Sequence, residues 1–257
     1  VAVGENGTLF IADAGSSEVD IYDPQAKRLK RIRQVDKKIS FGSPVGIAVS
    51  SDGMIIVSDS SLRQVFAIDA KGRSAFILGK NEGLLRPTGV FIKEGKLYVV
   101  DTEADQIFVF DLQGKLLLQF GSKGGGQGEF NHPTDLYVDD AGKIYVSDTL
   151  NFRIQIFDST GKILKTIGKL GDGSGQFSRP KGIACDSFGH IYVTDAVFDN
   201  FQVFNYDGQF LLSVGQNGEG EGEFWLPAGM TIDKDNFIYI ADSYNQRISI
   251  YKYVGGN

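Results

Sequence analysis

The sequence predicts an all-β protein, a six-bladed β-propeller made of four-stranded antiparallel blades. Three observations lead there. A short motif recurs six times at near-constant spacing, a proline stands at a fixed distance before it, and each unit reads as four short strands with no sustained helical period.

The recurring motif is a triplet ending in aspartate: "IAD" at Asp13, "VSD" at Asp59, "VVD" at Asp101, "VSD" at Asp148, "VTD" at Asp195 and "IAD" at Asp242, spaced by 46, 42, 47, 47 and 47 residues. In every unit but the first, a proline lies 14 or 15 residues upstream of the aspartate: Pro44, Pro87, Pro133, Pro180 and Pro227. The first unit's proline would fall just before Val1, so the chain begins inside a repeat. A start at Val1 rather than Met further implies that something upstream was removed, a leader or a neighbouring domain.

Within Pro133 to Gly168 the strands fall at Asp135–Val138, Ile144–Ser147, Arg153–Phe157 and Lys162–Ile167. The runs "DDAG" and "DSTG" supply Asp, Ser and Gly where the backbone reverses, and Val, Ile, Phe and Tyr fill the strands. Blade boundaries follow at about 1–40, 41–83, 84–127, 128–174, 175–221 and 222–257, and residues 1–257 form a single propeller domain. The sequence runs out after "YKYVGGN", so blade 6 is expected to have three strands and an open outer edge. "NGT" at Asn6 to Thr8 matches a glycosylation sequon, and Asn-Gly is also the preferred tight hairpin turn, which is the favoured reading.

The pattern Pro-x-Gly-Ile-Ala-Val, Gly-x-Ile-Tyr-Val-x-Asp, Asn-x-Arg-Ile-x-x-Phe and a Gly turn resembles the NHL repeat. The match is best over His132 to Gly161 and Leu226 to Tyr251. The Asn-x-Arg element is intact only as Asn151 with Arg153 and Asn245 with Arg247. This resemblance implies a propeller fold and a range of roles: protein- or RNA-binding modules, extracytoplasmic sensor domains, and related amidating lyases and lactonases.

Composition narrows that range. Net charge is −6, with 26 Lys plus Arg against 32 Asp plus Glu, which disfavours a nucleic-acid partner. No apolar run reaches membrane-spanning length, and the single cysteine, Cys185, rules out a disulfide framework or a cysteine-based zinc site. The two histidines, His132 and His190, fall short of the three protein ligands that a catalytic zinc needs. A calcium cage on the inner strands would draw on Gly46, Gly89, Asp135, Gly182 and Gly229, which offer one carboxylate among four glycines. No nucleophile elbow is present. The sequence therefore assigns no catalytic residue, metal or cofactor. The alternative to a binding module is a small-molecule sensor, or a lyase- or lactonase-like enzyme, with its site at the channel mouth.

Three sets of residues are candidates for recognition. Leu150, Phe152, Val197, Phe198, Trp225 and Tyr244 lie on loops of blades 4 to 6 and would present an apolar, aromatic face to a protein partner, or fold between blades as core. Asp135, with Arg86, His132 and Arg179 before their prolines, would address a polar ligand at the channel mouth. Asp135 could equally be a backbone hydrogen-bond acceptor. The segment Lys27 to Lys38 has seven basic residues and one acid. Lys27, Arg28, Lys30, Arg31 and Arg33 there either protect an outer strand edge or dock an anionic partner.

The six triplet aspartates read as turn caps, and "DKDNF" at Asp233 to Phe237 as a strand turn. The glycine-rich runs at Gly124, Gly171 and Gly218 have Phe130, Phe177 and Phe224 in register and precede strands, so they connect blades instead of cradling phosphate. These features together suggest a scaffold or protein-binding subunit of a cell-surface or extracellular assembly, placed outside the cytoplasm.

Overall fold

Alternating β-branched and aromatic residues between Asp/Gly turns build six antiparallel blade sheets and one small two-stranded sheet in the computed structural model, which describes residues 1–254. The protein is an all-β six-bladed propeller, and among the described residues its only helical segments are two short 3-10 turns, Lys80–Glu82 and Thr149–Asn151. The chain divides into two compact units, Val1–Lys123 with blades 1 to 3 and Gly124–Asn257 with blades 4 to 6.

Each of the first five blades is a meander of four strands in chain order. Blade 4 comprises Pro133–Val138, Ile144–Asp148, Arg153–Phe157 and Ile163–Ile167, within two residues of the expected bounds. Its first strand begins earlier than expected because Pro133 pairs with Asp148 before the ladder resumes at Leu136 opposite Val146. The bulge this creates releases Thr134 and Asp135 from regular pairing, and blades 3, 5 and 6 bulge after their prolines in the same way.

Blade 6 has three strands among the described residues, Pro227–Ile232, Phe237–Asp242 and Arg247–Lys252, as the sequence led us to expect. The turn at Asn6-Gly7 is wider than a two-residue hairpin. Gly4 N–H donates to Thr8 O at 2.9 Å, and Gly7, at φ 78°, is the only residue from Glu5 to Thr8 with positive φ. The basic segment also departs from a plain exit loop: after the outer strand Arg28–Ile32, a small hairpin pairs Gln34–Val35 with Ile39–Ser40.

In the first unit, one apolar cluster joins blades 1 and 2 and another joins blades 2 and 3. In the second unit Phe177 is fully buried between strands of blades 4 and 5, its ring 5.6 Å from Phe204. Phe224 fills the seam between blades 5 and 6 against Phe201 and Tyr251. These two glycine-loop phenylalanines therefore do plug inter-blade seams. The first strands of successive blades approach so closely that a Cβ on Gly46 would lie 2.0 Å from Thr88 O, and one on Gly182 would lie 2.4 Å from Ala228 O.

Candidate functional site

The triplet aspartates organise the loop end of each blade. Asp59, Asp101, Asp148, Asp195 and Asp242 are completely buried. Asp59 accepts backbone N–H groups from Gly42 and Ser43, ahead of the blade's first strand, and from Ser61 and Leu62 in the turn after its second. Asp195 does the same with Ser178 and Arg179 on one side and Val197 and Phe198 on the other. One carboxylate thus fixes two loops together, satisfying donors that would otherwise be buried and unpaired.

Two blades add an arginine. Arg153 Nε donates to Asp148 Oδ2 at 2.8 Å, while its two terminal nitrogens donate to the carbonyls of Gly125, Gly126 and Glu129. Arg247 repeats the arrangement on Asp242, Glu219, Gly220 and Glu223. Asn151 and Asn245 complete it by bonding Gly124 O and Gly218 O.

This scaffold displays the aromatic pair Trp225 and Tyr244. Trp225 N–H is held by Asp242, and Trp225 O accepts from Tyr244 N–H. The two side chains lie 5.5 Å apart between ring centroids at 33°, with Trp225 42% and Tyr244 62% exposed. Blade 5 is tied to the same spot, because Asp199 accepts from Leu226 N–H and from the Asn217 side chain. Val197 is half exposed there and Phe198 is half buried. Phe152 instead packs onto the blade 4–5 core in a left-handed conformation, φ 57°, and Leu150 is half buried with its N–H bonded to Asn131 O. The six loop residues proposed from the sequence are therefore split between an outward group on blades 5 and 6 and a more inward pair on blade 4.

Asp135 lies on the bulge of blade 4. It accepts from its neighbour Leu136 N–H at 2.9 Å and from Ile183 N–H of blade 5 at 3.4 Å. Surrounding protein atoms desolvate the carboxyl and push its pKa up to about 7, despite those two donors. Arg86, His132 and Arg179 are exposed, each one residue before its blade's proline. His132 adopts φ 53° and bonds the Asn131 side chain through Nδ1.

The basic strand of blade 1 is largely engaged within its own unit. Arg31 meets Glu18 at 3.1 Å and Asp20 at 3.4 Å, Arg33 meets Glu18 at 2.7 Å, and Lys30 donates to Ala70 O. Lys27 and Arg28 remain exposed. Asp13, Glu18 and Asp20 bring carboxylate oxygens within 4.8 Å of one another, yet Arg31 and Arg33 already supply positive charge to this group. Burial and then Glu18 raise the Asp20 carboxyl, while Arg31 lowers it.

A second aromatic group escaped the sequence reading. His190 Nδ1 lies 2.8 Å from the buried Asp186 carboxylate, and its ring packs 5.4 Å from Tyr253 and 6.2 Å from Phe188. The Asp–Tyr half of this arrangement recurs: Tyr145, Tyr192 and Tyr239 each donate at 3.0 Å to Asp139, Asp186 and Asp233. The period of 47 residues was the signal that could have revealed it.

Among solved structures, the chain is similar to Kuenenia stuttgartiensis hydrazine synthase, with TM-score 0.67, 11% identity, and coverage of 98% of this chain and 94% of that one. It is similar to a virginiamycin B lyase from Staphylococcus aureus, with TM-score 0.66, 14% identity, and coverage of 97% and 82%. It is also similar to a chain of a nidogen/laminin complex, with TM-score 0.68, 18% identity, and coverage of 90% and 82%. At such identities the likeness is one of fold alone. The family described as 6-bladed beta-propeller, DUF5128, matches at residues 80–149, 139–197 and 184–257, which cover more than half of the sequence. By that match, this chain belongs to the DUF5128 family of 6-bladed beta-propellers.

Proposed function

We propose that this propeller is a non-catalytic protein-binding module of the NHL type, working outside the cytoplasm, which engages its partner through the blade 5–6 loop face. The observation that carries this reading is the Trp225–Tyr244 pair. Two large aromatic side chains lie against each other in solvent, on backbone fixed by the buried Asp242, with Val197 exposed on the adjoining blade. Such rigid, amphipathic side chains dominate binding energy at protein interfaces and lose little conformational entropy on docking. The intact Asn-x-Arg elements of blades 4 and 6 support the NHL assignment.

The test is to recover the protein from its native source with its partner, then measure that partner against the wild type and the Trp225→Ala/Tyr244→Ala double variant. The expected outcome is a loss of about 30-fold or more in affinity, the scale of a hot-spot pair. Unchanged affinity would sink the reading. Cell fractionation of the native protein checks its location.

A second reading rests on Asp135, whose carboxyl titrates near neutrality on an irregular stretch of strand. Bulges and shifted carboxyls are typical of ligand sites. In that case a small polar ligand would bind the wild type but not Asp135→Asn, and the aromatic double variant would keep it.

A further inference from the structure

Blade 5 contains a slot where blades 4 and 6 hold an arginine. Residue 200 stands 47 positions after Arg153 and 47 before Arg247, and it is asparagine. Part of the arginine's surroundings is preserved, although Phe198 stands where blades 4 and 6 have Asn151 and Asn245. Asp195 is buried like Asp148 and Asp242. The glycine-rich loop keeps its fold: Gln176 N–H donates to Gly173 O as Glu129 N–H does to Gly126 O, and Gly175 N–H donates to Gln202 Oε1 as Gly128 N–H does to Gln155 Oε1. Gln202 Nε2 reaches Gln176 O at 2.7 Å, the same bond that Gln155 makes to Glu129 O.

With the long side chain gone, a cavity of about 290 Å³ opens at this position, lined by Asp172, Gly173, Phe198, Asn200, Gln202 and Ser213, among others. Asp172 and Gly173 are the counterparts of Gly125 and Gly126, whose carbonyls hold the Arg153 guanidinium. Asn200 Oδ1 is buried and has no hydrogen-bond partner among the described residues. Among the described residues Asp195 meets no arginine side chain, in contrast to Asp148 and Asp242, and accepts backbone N–H groups from Ser178, Arg179, Val197 and Phe198. Blades 2 and 3 also lack the arginine, but the glycine-rich loop of blades 4 to 6 is missing there.

We infer that this blade 5 cavity is a binding site for a guanidinium group supplied from outside the chain. A guanidinium is planar, always charged and carries donors in a fork. It would meet the Asp172 and Gly173 carbonyls, the counterparts of those that the two sister blades use internally, and it would satisfy the orphan amide oxygen. The site does not depend on the aromatic face acting as a docking surface.

The experiment follows backbone and Asn side-chain NMR signals of the whole chain during titration with capped arginine, its neutral isostere capped citrulline, capped lysine, and a glycine pentapeptide with one central arginine. Capped arginine is expected to shift Gly173, Ser174 and Asn200 with a Kd on the order of millimolar, and citrulline at least tenfold more weakly. Tighter binding of the peptide would identify a protein side chain as the source, and equal binding a small guanidino compound. Asn200→Arg should fill the slot from within, abolish the ligand shifts and raise Tm by about 2–4 °C. Equal binding of arginine and citrulline, or shifts scattered away from these residues, would overturn the inference whether or not the variant folds.

Discussion

Arg153 reaches the fully buried carboxylate of Asp148 through Nε at 2.8 Å, with only 12% of the arginine side chain exposed. Removing one partner of such a pair leaves a charge without compensation, at a cost of about 3–5 kcal/mol. Arg153→Ala should therefore lower unfolding free energy by about 3 kcal/mol in a urea titration. Arg153→Lys should recover only part of it, because lysine cannot span Asp148 and three carbonyls at once. Arg247→Ala should cost less, since that side chain is 35% exposed.

The Asp135 carboxyl gives stability a pH dependence of defined sign. Its pKa rises from an ordinary 3.8 to about 7 on folding, so between these values the native state binds more protons than the unfolded one. Its contribution to stability therefore falls as pH rises from about 4 to about 7, and the penalty is complete above that. Asp135→Asn should remove this slope. The stability of the variant relative to wild type should climb across that window in chemical unfolding measured at several pH values.

Gly182 lies where the first strand of blade 6 leaves no room for a side chain. Its Cβ would sit 2.4 Å from Ala228 O and 2.7 Å from Met230 N, both backbone atoms that cannot rotate away. Gly182→Ala is expected to cost about 2 kcal/mol or more as the two strands are forced apart. Calorimetry would show it as a lower Tm.

Phe177 is completely buried between blades 4 and 5. Phe177→Ala should destabilise the protein by about 3–5 kcal/mol through lost burial and the void left behind. Trp225→Ala should change stability by no more than about 0.5 kcal/mol, since the residue is 42% exposed. Parallel thermal melts of these two variants would separate a seam residue from a surface one.

The period of the triplet, the upstream prolines and the turn chemistry made the blades legible in the sequence, down to the third strand of blade 4, Arg153–Phe157. That blade 6 has three strands among the described residues was legible for the same reason, because strands can be counted once the repeat is known. The bulge that frees Asp135 was not, because a register shift depends on pairing across strands and leaves the alternation of residues intact. The partners of the basic strand were hidden in another way: Arg31 and Arg33 meet Glu18 and Asp20, 11 to 15 residues away on the neighbouring strand. Which of its two expected placements Phe152 takes, on the exposed face or between blades, was likewise hidden, since it turns on a left-handed residue at the end of a 3-10 turn.

The Asp–Tyr bond that closes the first turn of blades 4, 5 and 6, at Asp139, Asp186 and Asp233, has the same length each time. Three copies in one chain give every substitution at these positions two built-in controls, 47 residues apart. Replacing one tyrosine by phenylalanine in each blade separately measures how the same bond fares between different neighbours. Any spread among the three effects would then belong to the neighbouring structure and not to the bond.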